Sequence, residues 1–175
     1  DSSNQIAIGI DLGTSNTCVS RVQNGKPEVM PTRFGSKTIP SVVALGDGGR
    51  PIVGEAAAKR MVLYPDQTVY GSKRLIGRAY RRSVAQAYQP HFAWRIVETE
   101  EHRFGARLGD VTISMQEAAR LLLAEIHEIA QSSLEAPIRQ VVITVPAHFN
   151  EVQRQTIRDA ADSAGLRVGR IVNEP

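Results

Sequence analysis

A near-continuous apolar run, Gln5 to Leu12, breaks off in Asp11-Leu12-Gly13-Thr14-Ser15-Asn16, and this break constrains the chain more than any other feature. The run reads as a buried strand entering a tight turn. Thr17 to Val22 reads as the returning strand, Asn24-Gly25 as a hairpin turn, and Pro27 to Met30 as a third strand. The chain therefore opens with an antiparallel meander, not with a strand followed by a helix. The first turn also carries chemistry. Gly13 permits close backbone approach, so N–H groups here could cradle phosphate oxygens. The hydroxyls of Thr14 and Ser15 add donors. Asp11, at the carboxyl end of a strand, could hold a hydrated Mg²⁺ facing the same phosphates. A polar hairpin with no ligand would have a similar composition, so the turn alone leaves both readings open.

The remaining pattern is a second architecture joined to the first. Thr38-Ile39-Pro40 opens a new region, in which Ser41 to Leu45 and Pro51 to Val53 flank a Gly-rich turn. Gly54 to Leu63 is Ala-rich and helical, and must stop before Pro65. Trp94 to Thr99, Arg103 to Leu108 and Asp110 to Ile113 read as short strands, so residues 41–113 form an α+β insert. Ser114-Met115-Gln116-Glu117 has the form of a reciprocal capping box. The helix that follows carries Met115, Ala118, Leu122, Ile126 and Ile129 on one face. Arg139 to Val145 is a buried strand ending at Pro146, Asn150 and Gln153 can cap a second helix, and Gly165 can close it. Leu166 to Val172 is a final strand before Asn173-Glu174-Pro175. Helix–strand–helix–strand favours parallel strands with helical crossovers.

Composition removes several alternatives. At 175 residues, 42% apolar and 22% charged, the chain has the make-up of a globular domain. A net charge of +3 does not indicate nucleic acid, and no apolar run is long enough to span a bilayer. The polar start, Asp1 to Gln5, carries no secretory pattern. The basic cluster Lys73-Arg74, Arg78 and Arg81-Arg82 is either a solvated face or an anion site. Cys18 is the single cysteine, which excludes a disulfide within the chain. It reads as a small core side chain or as a redox-sensitive thiol. His91, His102, His127 and His148 have no metal-ligand spacing. There is no G-x-x-x-x-G-K-[ST] and no G-x-G-x-x-G after the first strand, which argues against P-loop and Rossmann sites.

Five blocks in order carry a resemblance over almost the whole chain. They are Gly-Ile-Asp-Leu-Gly-Thr-Ser-Asn-Thr-Cys-Val (9–19), Thr-Ile-Pro-Ser-Val-Val (38–43), Lys-Arg-Leu-Ile-Gly-Arg (73–78), Val-Ile-Thr-Val-Pro-Ala-His-Phe-Asn-Glu-Val-Gln-Arg-Gln (142–155) and Arg-Ile-Val-Asn-Glu-Pro (170–175). Together they resemble the nucleotide-binding domain of the 70-kDa heat-shock (DnaK-type) chaperones. The first block occurs more loosely in sugar kinases and actin-like proteins, whereas Lys-Arg-Leu-Ile-Gly-Arg is far more specific.

The resemblance implies an α/β fold of the actin-like ATPase (ribonuclease H-like) type, covering lobe I only. Subdomain IA would be residues 1–40 and 114–175, and subdomain IB the insert 41–113. It implies that Gly13, Thr14, Ser15 and Asn16 surround the β- and γ-phosphates of ATP or ADP. Asp11 would bind Mg²⁺ through water, Lys73 would reach the γ-phosphate and position the attacking water, and Glu174 would order the water and metal shell. K⁺ is a further candidate ion. Pro146 would act as a conformational switch, Arg154 as a relay of nucleotide state, and Arg170 as a J-domain co-chaperone contact. Without the resemblance Lys73, Glu174, Pro146, Arg154 and Arg170 are, in turn, a surface lysine, a cap or ion-pair carboxylate, a strand terminator, an exposed helical charge and a surface arginine. The implied partners are lobe II, a peptide-binding domain, a nucleotide exchange factor and unfolded client peptides, in a cytoplasmic protein-folding and stress-response role. Ser15 stands where Thr is usual, His148 where Tyr is common and Glu151 where Asp is common. The second phosphate loop and the adenosine-binding segment have no counterpart, so the lobe alone is expected to be essentially inactive. The alternatives are a lobe of a non-chaperone actin-like or sugar-kinase-superfamily ATPase, or a non-catalytic interaction module.

Overall fold

The computed structural model describes residues 6–175; Gln5 and the polar start Asp1–Asn4 lie outside the described residues. The opening meander is strands β1 (Ile6–Leu12), β2 (Asn16–Gln23) and β3 (Lys26–Val29), each antiparallel to the next. Alternation in β1 buries Ile8, Ile10 and Leu12 on one face. Asn24 and Gly25 both adopt positive φ, 52° and 73°, the conformation a two-residue hairpin with native twist demands. Strand β4 (Ile39–Pro40) pairs with the start of β2 and completes one edge of the hairpin.

The insert contains two small sheets. In one, β5 (Val43–Leu45) lies between β6 (Pro51–Val53) and, beyond helix α1 (Glu55–Met61), β7 (Thr68–Val69). The other follows helix α2 (Arg82–Tyr88) and consists of β8 (Arg95–Glu98), β9 (Phe104–Leu108) and β10 (Val111–Ser114). Ser41 and Val42 are outside the strand expected from residue 41. The Ser41 N–H donates to Ser15 O at 2.9 Å and the Val42 N–H to Pro40 O at 2.8 Å, so the backbone turns here and joins the hairpin.

Helix α3 (Met115–Ser132) then runs to β11 (Ile138–Val145), and α4 (Glu151–Ser163) to β12 (Val168–Asn173). All five predicted face residues of α3 are buried. The expected capping box at Ser114 is only half formed. The Ser114 hydroxyl accepts from the Glu117 N–H at 3.0 Å, but the Glu117 carboxylate instead takes both Arg120 donors at 2.7 and 2.8 Å. A bidentate charged pair outcompetes one neutral N–H donor. The box at Asn150 is complete, with Gln153 reciprocating.

The main sheet has the order β12-β11-β1-β2-β3, with β1, β11 and β12 parallel. Val141, Ile143 and Val145 of β11 are fully buried, as are Ile126 of α3 and Ile157 of α4. Each such aliphatic side chain contributes about 1.5–3 kcal/mol on burial. Parallel pairing brings three strand ends to one edge. Asp11 sits opposite Thr144, and Val145 opposite Asn173. Ligands of open parallel sheets gather beyond such ends.

Candidate functional site

The turn after β1 is built around Gly13. A Cβ placed there would lie 2.0 Å from the Asn16 carbonyl oxygen, a backbone atom already fixed in β2, so no side chain fits. The Gly13 N–H donates to Asp11 O at 3.1 Å, and its carbonyl accepts from the Ser41 hydroxyl at 2.8 Å. Ser41 Oγ also meets the buried Thr17 Oγ1 at 2.8 Å. The turn is therefore locked from behind by two hydroxyls, while Thr14 and Ser15 stay partly open. Ser41 and Thr17 brace this turn without standing out in the sequence, because a serine at a strand start carries no distinctive signal.

Lys73 lies on a single 3-10 turn, Ser72–Arg74, between Gly71 and Leu75-Ile76-Gly77. Leu75 and Ile76 are buried anchors, and Gln153 of α4 donates to Ile76 O at 3.2 Å. Gly77 has φ 70°, and a Cβ there would lie 2.6 Å from the Gln153 backbone. This close contact with α4 holds the Lys73 turn in place. Lys73 is only 7% exposed, which overturns its reading as a surface lysine. Its ammonium donates to the Glu174 carboxylate, 101 residues away in sequence. A buried ammonium needs such a partner, because an unpaired one would change protonation state or destabilise the fold. Gly13, Thr14, Ser41 and Lys73 line one narrow, mostly apolar crevice closed by Ile76, Ala119 and Leu122, which sets the turn and the Lys73 segment side by side.

Asp11 is exposed at the sheet edge, and Thr144 Oγ1 donates to its Oδ1 at 2.8 Å. Thr144 too was not anticipated; its signal was its place at the end of the neighbouring parallel strand. Among the described residues no cluster of three or more His, Cys, Asp or Glu side chains is close enough to coordinate a metal directly. Asn16 begins β2 opposite Pro40 and does not line this crevice.

Pro146, Arg154 and Arg170 stand outside this crevice. Pro146 follows β11, and its carbonyl accepts from the Phe149 N–H at 3.0 Å. Arg154 is half-buried, not an exposed helical charge. Its guanidinium donates to Phe149 O at 3.3 Å and to the Asn173 side chain. The Glu174 N–H donates to Val145 O at 2.8 Å, so Lys73, Glu174, Val145-Pro146 and Arg154 form one connected network. Arg170 is exposed on β12.

Cys18 lies opposite Asp11 in the β1–β2 ladder. Burial pushes its thiol pKa up, the Asp11 carboxylate pushes it the same way, and a backbone hydrogen bond only partly opposes them. The thiol is held protonated, the opposite of what a reactive thiolate needs. Alkylation of Cys18 by iodoacetamide should thus be slower than that of a free thiol, with its pH inflection above the ordinary thiol range. An inflection below that range would contradict this environment.

The family described as Hsp70 protein matches residues 7–175. The chain belongs to the Hsp70 family. It is 40% identical over 168 residues to three proteins: "Chaperone protein DnaK 3" of a Synechococcus species, "Chaperone protein dnaK1" of Synechococcus elongatus and "Chaperone protein dnaK3" of Thermosynechococcus vestitus. In each case the match covers 96% of this chain and 25% of the relative, so the chain spans about a quarter of these relatives' length. Hsp70 membership carries the actin-like ATPase fold, and the mixed sheet observed here accords with it.

Proposed function

We propose that this chain is lobe I of the ATPase domain of a 70-kDa heat-shock-type chaperone, and that its first hairpin and Lys73 bind the phosphates of Mg-ATP. The observation that carries this is the buried Lys73 ammonium, paired with Glu174 on a segment that lines one crevice with a turn that only Gly13 can occupy. In this reading subdomain IA is residues 1–40 and 114–175, and subdomain IB is residues 41–113.

The Gly13–Asn16 segment offers backbone N–H groups and the Thr14 and Ser15 hydroxyls to phosphate oxygens. Lys73 supplies positive charge where negative charge shifts on a transferring phosphoryl group. When phosphate arrives it takes over part of the Lys73 ammonium, and Glu174 is freed to orient water. Mg²⁺, held through water by Asp11 and Glu174, would neutralise the phosphate charge; K⁺ could accompany it. Thr144 keeps the Asp11 carboxylate aimed at the sheet edge. The Glu174–Val145 and Arg154–Asn173 bonds support Pro146 as a switch and Arg154 as a relay, because a shift of Glu174 pulls on both. Exposed Arg170 remains a candidate J-domain contact. In the whole protein, hydrolysis would drive binding and release of client peptides in the cytoplasm, with lobe II and an exchange factor as further partners. Among the described residues no helix is long and apolar enough to cross a membrane.

One lobe lacks the adenosine contacts and much of the positioning that phosphoryl transfer needs. Calorimetry of the chain with Mg-ATP should therefore show weak binding, and a phosphate-release assay negligible turnover. Robust turnover by a pure monomer would overturn the assignment of this chain as one half of a clamp.

A further inference from the structure

The basic cluster Arg78, Arg81, Arg82 is not used by the phosphate site, and part of it lines a separate cleft. This cleft, about 610 Å³, lies between the Gly77–Arg81 segment, the turn at Glu101-His102-Arg103 and the start of α4. Arg78, Arg81 and Arg103 all line it, against one carboxylate, Glu101. His102, also on the wall, is occupied by Glu98, with Nδ1 and Oε1 2.8 Å apart. Among the described residues, no carboxylate forms an ion pair with any of the three arginines.

Two of these guanidiniums are nonetheless held in position. Arg103 donates to Gly77 O and Arg78 to Arg74 O, each at 3.3 Å, and Arg78 lies over the Tyr88 ring at 5.9 Å. Carbonyl acceptors fix direction without cancelling charge, so the cleft keeps a positive field.

We propose that this cleft binds an acidic peptide segment bearing apolar side chains. The choice of a peptide over a phosphate group follows from the walls. The N–H groups at the start of α4, the natural phosphate donors of this cleft, are partly taken by the Asn150–Gln153 capping box. The rim carries Val84 and Val152, the latter 50% exposed, which suit an aliphatic neighbour of a carboxylate. Arginine forks pair with carboxylates in two-point geometry, and their exposure here predicts a modest, salt-sensitive affinity.

The test is fluorescence anisotropy of the 175-residue chain with a labelled peptide of alternating Glu and Leu, alongside its Gln-for-Glu analogue and a pyrophosphate competitor. The acidic peptide should bind and weaken steeply with salt, and the Gln analogue should not bind. Arg78→Gln with Arg103→Gln should weaken binding at least fivefold. Because those two side chains also hydrogen-bond the fold, Arg81→Gln serves as the second variant; Arg81 makes no side-chain hydrogen bond among the described residues and should still weaken binding about twofold or more. Absence of peptide binding, binding unchanged in Arg81→Gln, or displacement by pyrophosphate beyond the effect of matched ionic strength would each overturn the proposal.

Discussion

Gly13→Ala is expected to lower the stability of the chain by about 3 kcal/mol, the upper end for forcing atoms into a filled site. The new methyl would start 2.0 Å from the Asn16 carbonyl oxygen and 3.2 Å from its carbon. That carbonyl cannot retreat cheaply. Asn16 is paired with Pro40 and Thr17 with Ile39, and the Thr17 hydroxyl is joined to Ser41, which in turn holds the Gly13 carbonyl. Relief requires opening the hairpin from β4 outward, which also displaces the Thr14 and Ser15 donors. Gly25→Ala separates this clash from a dihedral effect. Gly25 has φ 73° but nothing within 4 Å of its Cβ, so alanine there should cost only the left-handed penalty of about 1–2 kcal/mol. Urea unfolding of the two variants against the wild-type chain measures the difference. Equal midpoints for Gly13→Ala and wild type would mean that the turn is not packed as described.

The legible parts of this molecule are those whose cause lies within a few residues. Asn24-Gly25 names its own turn, Asn150 and Gln153 cap each other, and the α3 face follows from apolar spacing. Where two local signals competed, reading failed by degrees. At Ser114 the sequence offers Glu117 both a backbone N–H and Arg120, and the charged partner wins. Helix α2 was not anticipated, since only Ala85 within it is buried and no side chain caps its start. The candidate site divides the same way. Asp11 and the Gly13 turn stand out in the sequence, but the burial of Lys73 and its contact with Glu174 arise from the Leu75–Ile76 anchor and the approach of Gly77 to α4. Those are tertiary causes; the basic cluster around Lys73 leaves a solvated face and an anion site equally open, and only the family resemblance singles out Lys73 within it. Ser41 and Thr144 were missed because each acts by orienting another residue.

The second large effect is expected at Lys73. Its ammonium is buried and fixed by Glu174, on a segment that lines the same narrow crevice as Gly13 and Thr14. In the proposed role, removing it would take away a preorganised charge placed where negative charge moves during phosphoryl transfer, whereas the hairpin N–H groups and the adenosine contacts of the whole protein would remain. The loss should thus fall on the rate more than on ground-state binding. Glu174 is 35% exposed, so water can solvate its carboxylate once the lysine is gone, and the variant should fold. The decisive measurement is single-turnover ATP hydrolysis by Lys73→Ala in the full-length protein, with Mg-ATP affinity measured on the same sample. Hydrolysis should fall at least about 100-fold with affinity changed by less than about tenfold. Hydrolysis equal to that of the wild type would contradict the role given to Lys73, and with it the reading of this crevice as the phosphate site.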